Sequence, residues 1–247
     1  MFGPAIDKYA SPVHAYRLAH VSYPWFAGLS VLLFIAGIYG GLVYAPPDYE
    51  QGEAYRILYV HVPAAWMSLF VYMVMAAASA AALIWKVKVN DAIARCCAPL
   101  GASFTLLALL TGSIWAKPMW GTWWVWDARL TSELILLFLY LGYMALYSAI
   151  DDRRMAARAC AILALVGVVN IPIIHFSVEW WNTLHQGPTV TNFDKPSIHS
   201  SMLIPLLIMA LAYKMFFISM LLVRLKAEIL EQESRAGWVQ DLLGTRQ

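Results

Sequence analysis

Apolar residues run along this chain in six long blocks, at positions 24–44, 62–85, 98–116, 132–150, 159–178 and 201–223. Each approaches the roughly 20 residues that an α-helix needs to cross a hydrocarbon core. Four of the six contain no Asp, Glu, Lys or Arg; Glu133 stands near the start of the fourth and Lys214 lies in the sixth. The pattern predicts an all-α integral membrane protein with six transmembrane helices. The first block reads as a retained helix, because its apolar run exceeds the ~7–15 residues of a signal-peptide core. Within it, Gly37 and Gly41 make a G-x-x-x-G step that lets another helix approach closely.

The polar positions between the blocks alternate in character. Lys8 and Arg17 precede the first block; Lys86, Lys88 and Arg95 follow the second; Arg153, Arg154 and Arg158 follow the fourth. Arg224, Lys226, Arg235 and Arg246 follow the sixth, giving twelve basic residues on one side. The other side has four, Arg56, Lys117, Arg129 and Lys195. Basic loops stay in the cytoplasm, so both termini are expected there, with the first, third and fifth connections facing outward. In a bacterium this is the inner membrane, with those connections on its periplasmic side. The expected division is a six-helix domain over 1–223 and a short cytoplasmic tail over 224–247, helical to about Leu243. Eight of the eleven tryptophans fall at or near the outer side. An interfacial aromatic belt populates both faces, so a belt alone does not explain that asymmetry.

Composition agrees with the pattern. Hydrophobic residues make up 61% and charged residues 13%, about half the usual share for a soluble domain, and the mean hydropathy is +0.63. A net charge of +2 without a basic run gives no footprint for nucleic acid. Cys96, Cys97 and Cys160 form no C-x-x-C, and no C-x-x-C-H occurs, so the chain does not attach a c-type haem to itself. There is no G-x-x-x-x-G-K-[ST], H-E-x-x-H or G-x-S-x-G. Any ATP-driven step would therefore belong to a partner. Helix interiors almost free of charge argue against an ion relay.

The third connection holds the candidate chemistry. Trp120, Trp123, Trp124 and Trp126 fall within seven residues and are followed by Asp127, Arg129 and Thr131. Indole rings offer a flat apolar surface with N–H donors at the edge, which suits a planar aromatic ligand. Equally, the segment can be an interfacial loop that only anchors the fourth helix. Arg129 can pair with Asp127 or face a ligand carboxylate, and Thr131 is a candidate N-cap for the fourth helix. Of six histidines, His14 and His20 lie in the inner tail and are expected to be solvated. His61, His175, His185 and His199 lie toward the outer side. Neutral imidazole is the common axial ligand of haem iron, and two histidines on separate segments can grip one iron from both faces. Hydrogen-bonded structural histidines remain the other reading. His175 is expected to give hydrogen-bonding support, and His199 to cap a helix.

The run from Trp120 to Thr131 resembles the tryptophan-rich WWD signature of haem-handling membrane proteins in cytochrome c maturation. Three further segments narrow the resemblance: Tyr59-Val-His-Val-Pro-Ala-Ala65, Asp151-Asp-Arg-Arg154 and Val178-Glu-Trp-Trp-Asn-Thr-Leu-His-Gln-Gly187. Together with six spans they resemble the haem exporter protein C (CcmC) family over nearly the whole chain. The resemblance implies haem b bound at the periplasmic face, with His61 and His185 as its two axial ligands. It implies a platform of Trp120, Trp123, Trp124, Trp126 and Asp127. It also implies transfer to the haem chaperone CcmE, with the small membrane protein CcmD assisting and the CcmA and CcmB ATPase complex supplying energy. Haem lyases share the signature but are generally larger. Two other classes stay open: a b-type haem electron-transfer subunit and a non-haem docking scaffold. In each case the chain is a binding protein rather than an enzyme.

Overall fold

The computed structural model describes residues 11–185, 187 and 198–244. Helix α1 is Pro12–Tyr39, extended by a π-helical turn at Gly40–Tyr44. A 3-10 turn at Glu53–Ile57 leads into α2, Leu58–Trp85. Helix α3 is Lys88–Trp120 and α4 is Ala128–Ala149. Two shorter helices follow, α5 at Arg153–Gly167 and α6 at Asn170–Trp180. Last come α7, Ser200–Gln232, and the short α8, Gly237–Leu243. Apart from one isolated bridge between Asp48 and Gly52, the described residues contain no β-structure.

Counting α5 and α6 as one crossing, six helical segments are long and apolar enough to span a membrane. The fifth apolar block is therefore present but broken. Pro172 lacks a backbone N–H and disfavours helical geometry at the residue before it. The chain turns at Val168 and Val169 and restarts at Asn170. The opposite departure occurs in α7, which runs unbroken through the expected boundary at 223/224. Leu225 and Ile229 pack on Ala92, while Arg95 and Glu228 form an ion pair at 2.5 Å, so this part of the tail is docked on α3.

Helix α3 lies at the centre, packed against α2, α4 and α7. Helix α1 is peripheral; it packs chiefly on α7 and leaves Trp25, Leu32 and Ile35 exposed, as lipid-facing positions require. The shared core is built of tyrosine and methionine as much as of aliphatic side chains. Tyr72, Tyr140, Met67, Met75 and Leu136 are fully buried there. Water is absent at that depth, so polar groups need protein partners. Tyr140 accordingly donates to the Ser68 carbonyl at 2.8 Å, and the Ser68 hydroxyl donates to the Glu133 carboxylate at 2.6 Å.

Candidate functional site

At one end of the bundle the α3–α4 connection, the start of α2 and the segment after α6 converge. Helix α3 stops at Gly121, whose φ of +76° is a left-handed conformation that glycine adopts without strain. Helix α4 starts after Asp127, which is its N-cap in place of the expected Thr131. One Asp127 carboxylate oxygen accepts from the Leu130 N–H at 2.8 Å. The other oxygen accepts a short hydrogen bond from the Thr183 hydroxyl, whose oxygen in turn accepts the His185 N–H at 3.0 Å. A single carboxylate thus starts α4 and ties down the segment that carries His185.

His61 stands in the second turn of α2. Its Nδ1 lies 3.0 Å from the Ala108 carbonyl and 3.1 Å from the Thr111 hydroxyl. A carbonyl only accepts, and the Thr111 hydroxyl already donates to the Leu107 carbonyl at 2.6 Å. Nδ1 is therefore assigned the proton, which leaves the lone pair on Nε2. Gly112 permits this placement, since a Cβ there would lie 2.9 Å from His61 Cε1. The His185 ring comes within 6.5 Å of the His61 ring, centre to centre, at an interplanar angle of 36°. Trp115 meets His61 edge-on at 5.7 Å, and Trp120 meets His185 edge-on at 6.2 Å.

These four rings border a half-open cleft of about 240 Å³ whose walls are completed by Met119, Leu130 and Leu184. Among the described residues no three His, Cys, Asp or Glu side chains converge as a metal site. A haem iron already has its porphyrin nitrogens and takes at most two ligands from protein.

The expected residues divide in two. His61, His185 and Trp120 line the cleft; Trp123, Trp124, Trp126, Asp127 and Arg129 lie outside its lining. Trp126 is 74% exposed, and Trp124 packs edge-on against it at 5.4 Å, with its own Nε1 buried and without a hydrogen-bond partner among the described residues. Trp123 is exposed, with Lys117 Nζ 5.9 Å from its ring centre. Arg129 does not pair with Asp127; it donates to the Ile174 carbonyl at 2.8 Å and so fastens α4 to α6.

The remaining histidines separate cleanly. His175 is exposed, edge-on to Phe176 at 4.7 Å, and makes no hydrogen bond among the described residues, so the supporting role expected of it is not seen. His199 is the N-cap of α7, accepting from the Ser201 N–H at 3.3 Å. His14 is half-buried, and its buried Nδ1 has no hydrogen-bond partner among the described residues. The sequence reading missed Trp115 and its partner Gln51, whose Oε1 accepts from Trp115 Nε1 at 3.0 Å. A signal was present: Thr111, Trp115 and Met119 recur at four-residue steps and so share a face at the end of α3.

Residues 5–240 match the family model described as heme exporter protein C. The chain is 51% identical over 240 residues to heme exporter protein C of Haemophilus influenzae, covering 97% of this chain and 98% of that one. It is 49% identical over 238 residues to heme exporter protein C of Escherichia coli K12, covering 96% of each. A mitochondrial protein of Marchantia polymorpha, whose name ties it to cytochrome c biosynthesis, is 44% identical over 221 residues, covering 89% of this chain and 90% of that one.

Proposed function

Because the chain belongs to the heme exporter protein C family, we propose that it holds haem in the cleft between His61 and His185 and presents it to a partner for cytochrome c maturation. The carrying observation is the approach of the two imidazoles, from separate segments, to 6.5 Å between ring centres. Two imidazoles bound to one iron at about 2 Å each have ring centres roughly 6 Å apart. The residues present therefore fit haem b with two axial histidines.

The parts then have distinct duties. Haem supplies the iron and the reactive ring edge. His61 offers Nε2, oriented by its Nδ1–H bond to Ala108, which fixes the tautomer and the ring. His185 would offer the second imidazole, on a segment held by Thr183 and Asp127. Trp115 and Trp120 wall the cleft with apolar rings. Trp123 and Trp126 stand exposed beside it and suit either the projecting part of the ring or the face of a partner. A half-open cleft favours a ligand that is exchanged over one that is permanently enclosed, which argues for transfer rather than electron transport.

The distribution of basic residues supports cytoplasmic termini and a cleft on the periplasmic side of the bacterial inner membrane. The family assignment supports CcmE as the acceptor, CcmD as a helper and CcmA with CcmB as the ATP-hydrolysing partners. The chain itself acts as a binding and transfer protein rather than an enzyme.

Absorption spectra of purified protein from haem-replete cells test the ligands. Wild type is expected to carry a low-spin haem spectrum. His61→Ala and His185→Ala should each convert or weaken it and stop acceptor loading, with both proteins still folded. An unchanged spectrum in the double variant would overturn the assignment.

A further inference from the structure

At the opposite end of the bundle a second cavity, about 350 Å³, opens between α4 and α7. Both helices pack on α3 but barely touch one another, so a wedge remains over the Lys88-end half of α3. Three arginines border it, Arg95, Arg153 and Arg224, with the Tyr147 ring beneath the Arg95 guanidinium at 4.6 Å. Its other wall is apolar, made by Pro99, Met144 and Ile150.

The three cations are not equally engaged. Arg95 pairs with Glu228 at 2.5 Å, and Arg153 pairs with Glu231 at 3.0 Å. Each uses one terminal nitrogen, and a guanidinium carries five N–H donors, so both keep donors to spare. Arg224 makes no hydrogen bond or ion pair among the described residues. An unneutralised guanidinium beside two others, at the end of an interhelical wedge with an apolar wall, matches an amphipathic anion.

We propose that this cavity is a phospholipid site in which the phosphodiester sits among Arg224, Arg153 and Arg95 and an acyl chain lies along Pro99 and Met144. Guanidinium forks suit phosphate oxygens by charge and by bidentate geometry. Basic pockets between membrane helices are known to take lipid headgroups. Asp151 also borders the cavity; its carboxylate works against the phosphodiester charge but accepts from the hydroxyls of a glycerol headgroup. The ends of α4 and α7, which have little direct contact, would then be joined through the lipid.

Native mass spectrometry of the full-length protein in detergent, titrated with palmitoyl-oleoyl phosphatidylglycerol, tests this. Wild type should retain one phospholipid tightly. Arg224→Gln, at an exposed and unpaired position, should retain it about tenfold less well, as expected for loss of one charge-assisted contact. Ser148→Trp, which fills the cavity from an exposed position on its rim, should do the same without altering charge. Arg158→Gln, exposed but outside the cavity, should change nothing. Equal retention by Arg224→Gln and wild type would overturn the proposal. So would equal binding of glycerol phosphate, which lacks acyl chains and would mark a site for a soluble anion. Loss of the haem spectrum in Arg224→Gln with phospholipid retained would instead assign the cavity to haem. The cavity lies at the far end from the histidine cleft, so haem loss and phospholipid loss are read separately.

Discussion

Asp127 and Gly112 each carry more of the cleft than their size suggests. The Asp127 carboxylate both caps α4 and holds Thr183, two residues before His185. Loss of a helix cap costs about 0.5–2 kcal/mol, and freeing the histidine segment adds an ordering cost to binding. Asp127→Ala is therefore expected to lower the unfolding midpoint modestly and to weaken haem affinity by roughly tenfold or more. Haem titration and thermal denaturation measure the two effects. A loss no larger than that of Arg158→Gln, an exposed position on α5 outside the cleft lining, would refute the anchoring role. Gly112→Ala acts more locally, because the new Cβ would meet His61 Cε1 at 2.9 Å. Either the imidazole turns or α2 and α3 separate slightly. A shifted or high-spin haem spectrum in a protein of near-normal stability is the expected result, and a wild-type spectrum would mean that Gly112 does not set the His61 ring.

Helix α4 joins the cleft to the membrane interior. Arg129 donates to the Ile174 carbonyl and Asn170 donates to the Ser132 carbonyl at 2.9 Å, so α4 and α6 are fastened at two levels. One turn below Arg129, the buried Glu133 carboxylate takes the Ser68 hydroxyl from α2. Leaving a buried polar group without its hydrogen-bond partner costs about 1–3 kcal/mol. Ser68→Ala should thus destabilise clearly, by several degrees in the unfolding midpoint. Glu133→Gln should be milder, since its amide oxygen still accepts from Ser68. If Ser68→Ala unfolds at the wild-type midpoint, the Ser68–Glu133 contact contributes nothing. The same helices show why the break in the fifth block cannot be read from hydropathy. The run 159–178 contains no Asp, Glu, Lys or Arg, and summed apolarity says nothing about the turn that Pro172 introduces.

For the molecule as a whole, orientation is the property most open to direct test. Trp126 and Arg235 are exposed near opposite ends of the bundle, and Cys96, Cys97 and Cys160 are all buried. A membrane-impermeant maleimide should label Trp126→Cys in cells with a permeabilised outer membrane, and Arg235→Cys only once the inner membrane is opened. The reverse labelling would invert the topology and put the cleft in the cytoplasm. Six crossings and their rough limits were legible in the sequence, because transfer into lipid depends on summed apolarity over some 20 residues. The N-cap was misplaced by four residues, since Asp127 and Thr131 are both capable caps and only the backbone path chooses between them. The resemblance singled out His61 and His185, and in three dimensions their rings are neighbours. Four tryptophans looked alike as a run, yet only Trp120 lines the cleft, joined by Trp115 from within α3. The sequence by itself determined which segments enter the membrane and which carry rings and imidazoles. The tertiary structure alone decided which of them meet, because packing around α3 sets each helix's rotation and a residue's facing depends on its neighbours.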